Sequence, residues 1–434
     1  MYLYKHYRLF VGSFVRAGWS ALVVSLLVQP VFAQLEPSRN ELLFGLDVNY
    51  VDASGHPSWA EGSAGKLLYD SDHDGLMLSR SYIDLRSRIA DTLNAHVVAE
   101  LYNDDMGSTV DLTEAFLEWR PLTESANRYR LKVGAFYPRI SLENSGPGWT
   151  SPYSISPSAI NTWVGEELRS VGAEASLSRR PELLGGAHTF SLQAAVFYGN
   201  DPAGGLISWK GWSIHDRQSR FGDKVPLPPV PLIQPGNWFD GQDPFITPLL
   251  EIDDRSGYYL NGEWRFGKRL MLRAMHYNNR ADPQGYENRQ FGWLTSFDHV
   301  GLQATLPGDI GLLAQWMDGY TVWGRYTNGV YSVDVEFESN YVLLTRAFAR
   351  HRLTARYDHF EMSENDRIPM DENSEHGHAW TLAYQFEASS RLQLAAEWLE
   401  IFTDRPAWAY FDLAQRKTER QLQLSLRLRF GLPR

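Results

Sequence analysis

Residues 421–430 read QLQLSLRLRF, and their polarity alternates at every position. The apolar positions are Leu422, Leu424, Leu426, Leu428 and Phe430. The other face carries two glutamines, a serine and two arginines. Because successive side chains of a β-strand point to opposite faces of its sheet, a period of two predicts a strand. Ten tilted residues are about enough to cross a bilayer, so this stretch predicts a strand between lipid and water.

The same alternation recurs along the chain and predicts about sixteen strands. They are residues 42–51, 77–89, 94–102, 110–120, 128–137, 169–177, 189–198, 257–266, 270–278, 298–306, 310–320, 332–348, 352–360, 379–387, 392–401 and 418–430. Short spacers alternate with long ones, which is typical of a barrel with turns on one side and loops on the other. A soluble propeller or sandwich would not need two classes of spacer.

The pattern therefore predicts an all-β fold, a transmembrane antiparallel up-and-down β-barrel of about 16 strands with long external loops. A sheet in hydrocarbon must close on itself, because each backbone N–H and C=O has to be paired within the protein. If the N-terminus lies on the periplasmic side, an even number of strands returns the C-terminus to that side.

Residues 1–33 have the features of a signal peptide. Lys5, Arg8 and Arg16 precede an apolar run at 21–28, and Val-Phe-Ala at 31–33 is a small-x-small cleavage site. We expect cleavage after Ala33, which leaves residues 34–434 as the barrel domain; a retained N-terminal anchor is the alternative.

The composition excludes several classes of function. The chain has no cysteine, which removes disulfides and thiolate chemistry. A formal net charge of −11 argues against nucleic acid as a partner, since nucleic acid requires a basic surface. The aromatic content of 13% suits a barrel whose rims collect Trp and Tyr. No cofactor is implied.

The plan of about sixteen strands, a long third loop and an aromatic near the end of the last strand resembles that of general and phosphate-selective porins of Gram-negative outer membranes. The stretch LKVGAFYPRISLENS at 131–145 resembles the phosphate-selective group, in which a K-V-G-x-F-x-P strand leads into the third loop. The resemblance implies that residues 138–168 fold into the lumen and narrow it. A dense lysine–arginine ladder of the phosphate-selective kind is missing, because acidic residues interrupt the basic ones.

Charged residues on the polar faces of the strands are candidates for lining the pore. They are Arg80, Arg86, Arg88, Glu114, Glu118, Arg128, Arg130, Lys132, Arg273 and Arg356. If residues 120 and 128 pair across their turn, Glu118 lies opposite Arg130, and the pair stabilises the wall. Each such residue can form an ion pair with a residue on a neighbouring strand of the wall. Together, however, they require a water-filled interior, because an unpaired charge in a dry lumen is costly.

Two groups of residues are candidates for binding a metal. Asp70, Asp72 and Asp74 before a glycine resemble the first half of a calcium loop, although its twelfth position is Ser81; an acidic loop tip is the alternative. His376 and His378 could ligate a metal but have no third ligand at a fitting spacing. No catalytic constellation stands out, so we expect that the chain is not an enzyme.

These observations predict an outer-membrane porin, a passive channel for small polar or anionic solutes. Its expected partners are outer-membrane lipid, lipopolysaccharide and those solutes, and a homotrimer is one arrangement that the class allows. The alternatives are a plugged barrel that acts as a surface receptor or export component, and an outer-membrane barrel enzyme. The long spacer 200–256 could cover the outer mouth, reach a neighbouring subunit or bind a surface ligand.

The first prediction concerns location. The mature protein should fractionate with outer membranes and migrate faster on gels unboiled than boiled, because closed barrels resist detergent until heated. Recovery as a soluble periplasmic protein would contradict the barrel.

Overall fold

Sixteen antiparallel strands form one closed barrel in the computed structural model, which describes residues 40–179 and 186–431. We number them β1 to β16, and each pairs with its neighbours in chain order. They are β1 Asn40–Ser54, β2 Gly75–Ala90, β3 Leu93–Leu101, β4 Val110–Trp119, β5 Asn127–Phe136, β6 Ser170–Arg179, β7 His188–Tyr198, β8 Gly257–Phe266, β9 Leu270–Asn278, β10 Leu294–Leu306, β11 Ile310–Trp323, β12 Val333–Phe348, β13 His351–Glu364, β14 Glu375–Glu387, β15 Leu392–Asp404 and β16 Arg416–Gly431. The predicted strand number is confirmed, and the predicted signal segment 1–33 lies outside the described residues.

The last strand closes the barrel against the first. β1 and β16 pair without interruption from Leu43 opposite Gly431 to Ser54 opposite Arg420. The alternation predicted from 421–430 is present: Leu426 faces outward with 38% of its surface exposed, whereas Ser425 faces the lumen with 4% exposed. The wall therefore has no free edge, as hydrocarbon requires.

Two predicted strands, 257–266 and 270–278, agree with β8 and β9 at both ends. Other strands begin earlier than predicted on the side of the long loops: β10 begins at Leu294 and β14 at Glu375. At that end the outward-facing side chains include Asp298, His376 and His378. Outward-facing residues are therefore no longer apolar there, and the alternation that predicts a strand is lost. The strands extend beyond the hydrocarbon, where the outer face meets polar surroundings.

One predicted pairing is wrong. Glu118 lies opposite Lys132 rather than opposite Arg130, and Trp119 lies opposite Leu131, so the turn is longer than predicted. The register differs by two residues, which keeps every side chain on its predicted face. The Arg130 guanidinium still reaches the Glu118 carboxylate at 3.5 Å.

The long connections all lie at one end of the barrel, which in barrels of this type is the external end. We name them loops 1 to 8, and they comprise residues 55–74, 102–109, 137–169, 199–256, 279–293, 324–332, 365–374 and 405–415. Loop 3 contains helix α1 (Ala159–Glu167), and loop 4 contains helix α2 (Gly205–Trp209). Within the described ranges, no helix is long and apolar enough to cross a membrane.

Substitutions on the two faces of β16 should separate lipid from lumen. Leu426→Asp places a carboxylate near the middle of the hydrocarbon and should cost about 2 kcal/mol of stability, whereas Ser425→Asp faces the polar lumen beside Arg427 and should be tolerated. The measurement is the urea midpoint of barrels folded in lipid vesicles. Equal losses for the two variants would contradict the assigned faces.

Candidate permeation pathway

Loop 3 lies inside the barrel, because it binds inner-face side chains from strands far apart around the wall. Arg356 of β13 donates to the Pro157 carbonyl at 2.9 Å. Glu397 of β15 accepts the Ile155 N–H at 2.6 Å. Arg80 of β2 also donates to a loop 3 carbonyl. Contacts with β2, β13 and β15 at once are possible only from the lumen.

Loop 4 is joined to loop 3 through helix α2. The Glu167 carboxylate at the end of α1 accepts the N–H groups of Gly204 and Leu206 at 3.2 and 2.9 Å, which satisfies the first turn of α2. At the other end of α2, Arg405 of loop 8 donates to the Ser208 carbonyl at 2.9 Å. Both ends of α2 are thereby held by hydrogen bonds to ionisable side chains from other loops.

A buried ion cluster fixes this assembly to the wall. Glu375, at the start of β14, binds Arg405 and also Lys66 of loop 1, whose Nζ lies 2.8 Å from Glu375 Oε1. The three side chains are at most 1% exposed. Removing Glu375 would leave two buried cations without the carboxylate that they share, which typically costs about 3–5 kcal/mol.

One half of the lumen is filled by aromatic packing. Trp163 of α1 lies 5.6 Å from Phe297 of β10 and 5.2 Å from Phe337 of β12, measured between ring centroids. Trp212 of loop 4 joins them at 6.1 Å from both Trp163 and Phe337. Tilted and edge-on pairs at these distances are favourable, so this side of the barrel has a dry core.

The opposite half, formed by β14 to β16 with β1 and β2, is polar. Arg427 Nε lies 3.5 Å from Asp47 Oδ2, and Asn49 donates to Gln423 at 3.3 Å. Within the described residues, several buried polar atoms of this wall have no hydrogen-bond partner. They include Asn49 Oδ1, Arg80 Nε, Gln385 Nε2, Thr403 Oγ1, Gln421 Oε1 and Ser425 Oγ. Five further atoms of this kind lie on β6 to β10, so the polar wall has the larger share of them. Since buried polar atoms are ordinarily satisfied by protein or water, water suits this side of the lumen best.

A small cavity of about 10 Å³, room for about one water molecule, lies between loops 3 and 4 and the β2 wall. Its ionisable lining residues are Arg80, His215, Asp216 and Arg217. Asp216 of loop 4 interacts electrostatically with Arg80 and with Arg427 of β16. The cavity is therefore next to the polar wall and away from the aromatic half.

All ten charged residues predicted to line the pore are on the inner face of the barrel, as the strand pairing shows. They fall into three groups by exposure. Arg80, Glu118, Arg273 and Arg356 are buried against loops or wall acids, whereas Glu114, Arg130 and Lys132 are half-buried. Arg86, Arg88 and Arg128 are exposed. Whether any of them contacts a passing solute stays a prediction.

At the periplasmic end, one acid on the inner face is surrounded by three arginines. Glu263 of β8 is buried and lies within 3.3 Å of Arg139, 2.6 Å of Arg265 and 2.8 Å of Arg273. One carboxylate thus faces three guanidinium groups.

Other arginines on the inner face at this end of the barrel add to the positive charge. Arg88 and Arg128 form no ion pair with any residue of the described ranges. Arg86 bonds the buried Asp84 at 3.2 Å but keeps half of its side chain exposed. The periplasmic mouth of the lumen therefore has a surplus of positive charge.

The sequence candidates for metal binding have other surroundings. Asp70 accepts the N–H groups of Ser58, Asp72 and His73 at 2.7, 3.0 and 3.0 Å, so it organises the loop 1 turn, and Asp72 and Asp74 are exposed. His376 and His378 lie on the outer face of β14. Within the described residues, neither group brings three ligand atoms close enough together to hold a metal ion.

No protein-family model and no curated protein matches the sequence. Among solved structures, the outer membrane channel DcaP of Acinetobacter baumannii is 13% identical with a TM-score of 0.53, over 90% of this chain and 96% of that one. The anion-selective porin from Comamonas acidovorans is 12% identical (TM-score 0.46; 90% and 99% covered), and OmpT, an outer membrane protein of Vibrio cholerae, is 9% identical (TM-score 0.49; 90% and 97% covered).

At these identities the similarity shows the fold alone. DcaP is an outer membrane channel, and this chain, a closed sixteen-stranded antiparallel barrel, has a similar fold. The closed barrel with its apolar outer face supports the predicted location in the outer membrane.

Two glutamates of β15 give a matched test of how loop 3 is held. Glu397→Gln weakens the charge-assisted bonds to the N–H groups of Ile155 and Ser156, so their amide hydrogen exchange should become about tenfold faster, equivalent to about 1.4 kcal/mol. Glu400→Gln is the control, because Glu400 faces outward and pairs with Arg420 at 2.6 Å. Unchanged exchange in Glu397→Gln would show that this carboxylate does not hold loop 3.

Proposed function

We propose that this chain is a passive outer-membrane channel whose narrow pathway follows the polar half of the lumen. The observation that supports the proposal is the unequal division of the interior. Apolar rings fill the side of β10 and β12, whereas eight of the thirteen buried strand side-chain atoms that have no hydrogen-bond partner within the described residues lie on β14 to β16, β1 and β2. A barrel closed throughout by its loops would have no reason to leave polar atoms unsatisfied along one wall.

The preferred solutes in this proposal are small, polar and anionic. Fixed charge selects ions where a passage is too narrow for them to keep full hydration. The surplus arginines at the periplasmic mouth favour anions, and the acids beside them are buried beneath guanidinium groups. In the cavity next to the polar wall, Asp216 offsets part of the charge of Arg80, so we expect the preference to be modest.

A second candidate function is that of a closed barrel acting as a surface receptor. The complete burial of α1 and α2 favours it, because both loops occupy space that a general porin leaves to water. Conductance separates the two candidates, since a receptor would insert into a planar bilayer without carrying current.

Charge reversal at the mouth tests the proposal. Purified barrels in a planar bilayer under a KCl gradient should show small, anion-biased conductance, and Arg88→Glu with Arg128→Glu should shift the reversal potential towards cations. The control is Arg346→Glu, which lies at the same end of the barrel but faces outward. It should leave the reversal potential unchanged.

Two outcomes would contradict the proposal. A folded, heat-modifiable barrel that carries no current would favour the receptor. Current whose reversal potential is the same in the wild type and in the double variant would show that these arginines do not select ions.

A further inference from the structure

The two ends of loop 4 meet at a cluster of three carboxylates. Asp201 follows the end of β7, and Glu251 and Asp253 precede the start of β8. Although almost the whole of loop 4 separates them in sequence, one carboxylate oxygen from each lies within 4.8 Å of the other two.

The hydrogen bonds to this cluster leave two buried oxygens unused. Asp201 Oδ2 accepts the Ile252 N–H at 2.5 Å, and Glu251 Oε2 accepts the Gly199 N–H at 2.6 Å. The second oxygens, Asp201 Oδ1 and Glu251 Oε1, are buried and accept no hydrogen bond from the described part of the chain. Asp201 is only 1% exposed, so bulk solvent does not compensate for the missing donor.

The charges around the cluster do not balance. Among the described side chains, the nearby cation is Arg255. Its guanidinium lies 3.8 Å from Asp253 and 2.8 Å from Asp282, so it pairs with both carboxylates. Three carboxylates therefore face one guanidinium among the described side chains, and Asp282 also binds that guanidinium.

We propose that Asp201, Glu251 and Asp253 bind a divalent cation of the calcium type, which ties the two ends of loop 4 together. The donors are all carboxylate oxygens, the ligands that hard cations prefer. Ca²⁺ accepts six to eight oxygens in irregular arrangements and completes its shell with water, which suits three carboxylates on two loop segments. The unused oxygens of Asp201 and Glu251 are the first two ligands.

Isothermal titration of CaCl₂ into the EDTA-treated, folded full chain in detergent micelles tests the site. We expect saturable binding of one Ca²⁺ per chain, weakened at least tenfold by Asp201→Asn and by Glu251→Gln. The matched control is Asp254→Asn, which removes an exposed acid next to the cluster. The left-handed backbone of residue 254 (φ 57°) suits asparagine. The affinity of this variant for Ca²⁺ should equal that of the wild type.

Folding of each variant is checked by heat-modifiable migration, and Glu251→Gln decides the question if Asp201→Asn does not fold. Absence of saturable binding to the wild type would overturn the site and indicate that the carboxyl groups share a proton. Equal binding to the wild type and to the folded cluster variants would also overturn it, as would tighter binding of MgCl₂ than of CaCl₂.

Discussion

The pairing of β1 with β16 is the contact on which the rest of the structure depends. Hydrocarbon offers no hydrogen-bond partner to a backbone, so an open sheet of fifteen ladders would expose two polar edges at a cost of several kcal/mol for each unsatisfied group. The ladder from Leu43–Gly431 to Ser54–Arg420 removes both edges at once. It also fixes the circumference, and thereby the space that the inner side chains and loops have to fill.

The filling of that space follows two different physical rules. Around Trp163 and Trp212, loops 3 and 4 pack against the wall as they would in the core of a soluble domain. Elsewhere charged groups hold the same loops, with Arg356 and Glu397 on the wall and Glu167 and Arg405 from the loops themselves. Aromatic packing stabilises the loops without requiring one particular geometry, whereas buried charged groups require particular partners. The charged contacts therefore determine where each loop lies.

The wall was largely predictable because its signal is local. A period of two in polarity indicates which face of a strand contacts lipid. This period can be recognised within a single strand such as 421–430, without knowledge of the other strands. The signal fades where strands rise above the membrane, because outward residues such as Asp298 and His376 are then polar. The register of the 120–126 turn was mispredicted, since a shift of two residues leaves the facing pattern unchanged.

The interior was less predictable, because its contacts join distant segments. The resemblance of 131–145 to a porin strand pointed to loop 3, but the tryptophans of loop 4 suit a surface lid as well as a lumen. The local acidic motif at Asp70 proved to be a hydrogen-bonded turn, whereas Asp201 and Glu251 come together only through the fold. A single sequence contains no pattern that relates such positions.

The burial of loop 4 has a consequence for how the protein is made. Its segment carries charged groups that end in the interior, including Lys210, which binds the buried Glu166, and Arg217, which lies 2.7 Å from Asp104. A finished wall already packed with loop 3 would leave no room for these groups to thread through from the periplasm. We therefore expect loop 4 to cross the membrane while β1 and β16 are still apart, so that the barrel closes around loops already in place.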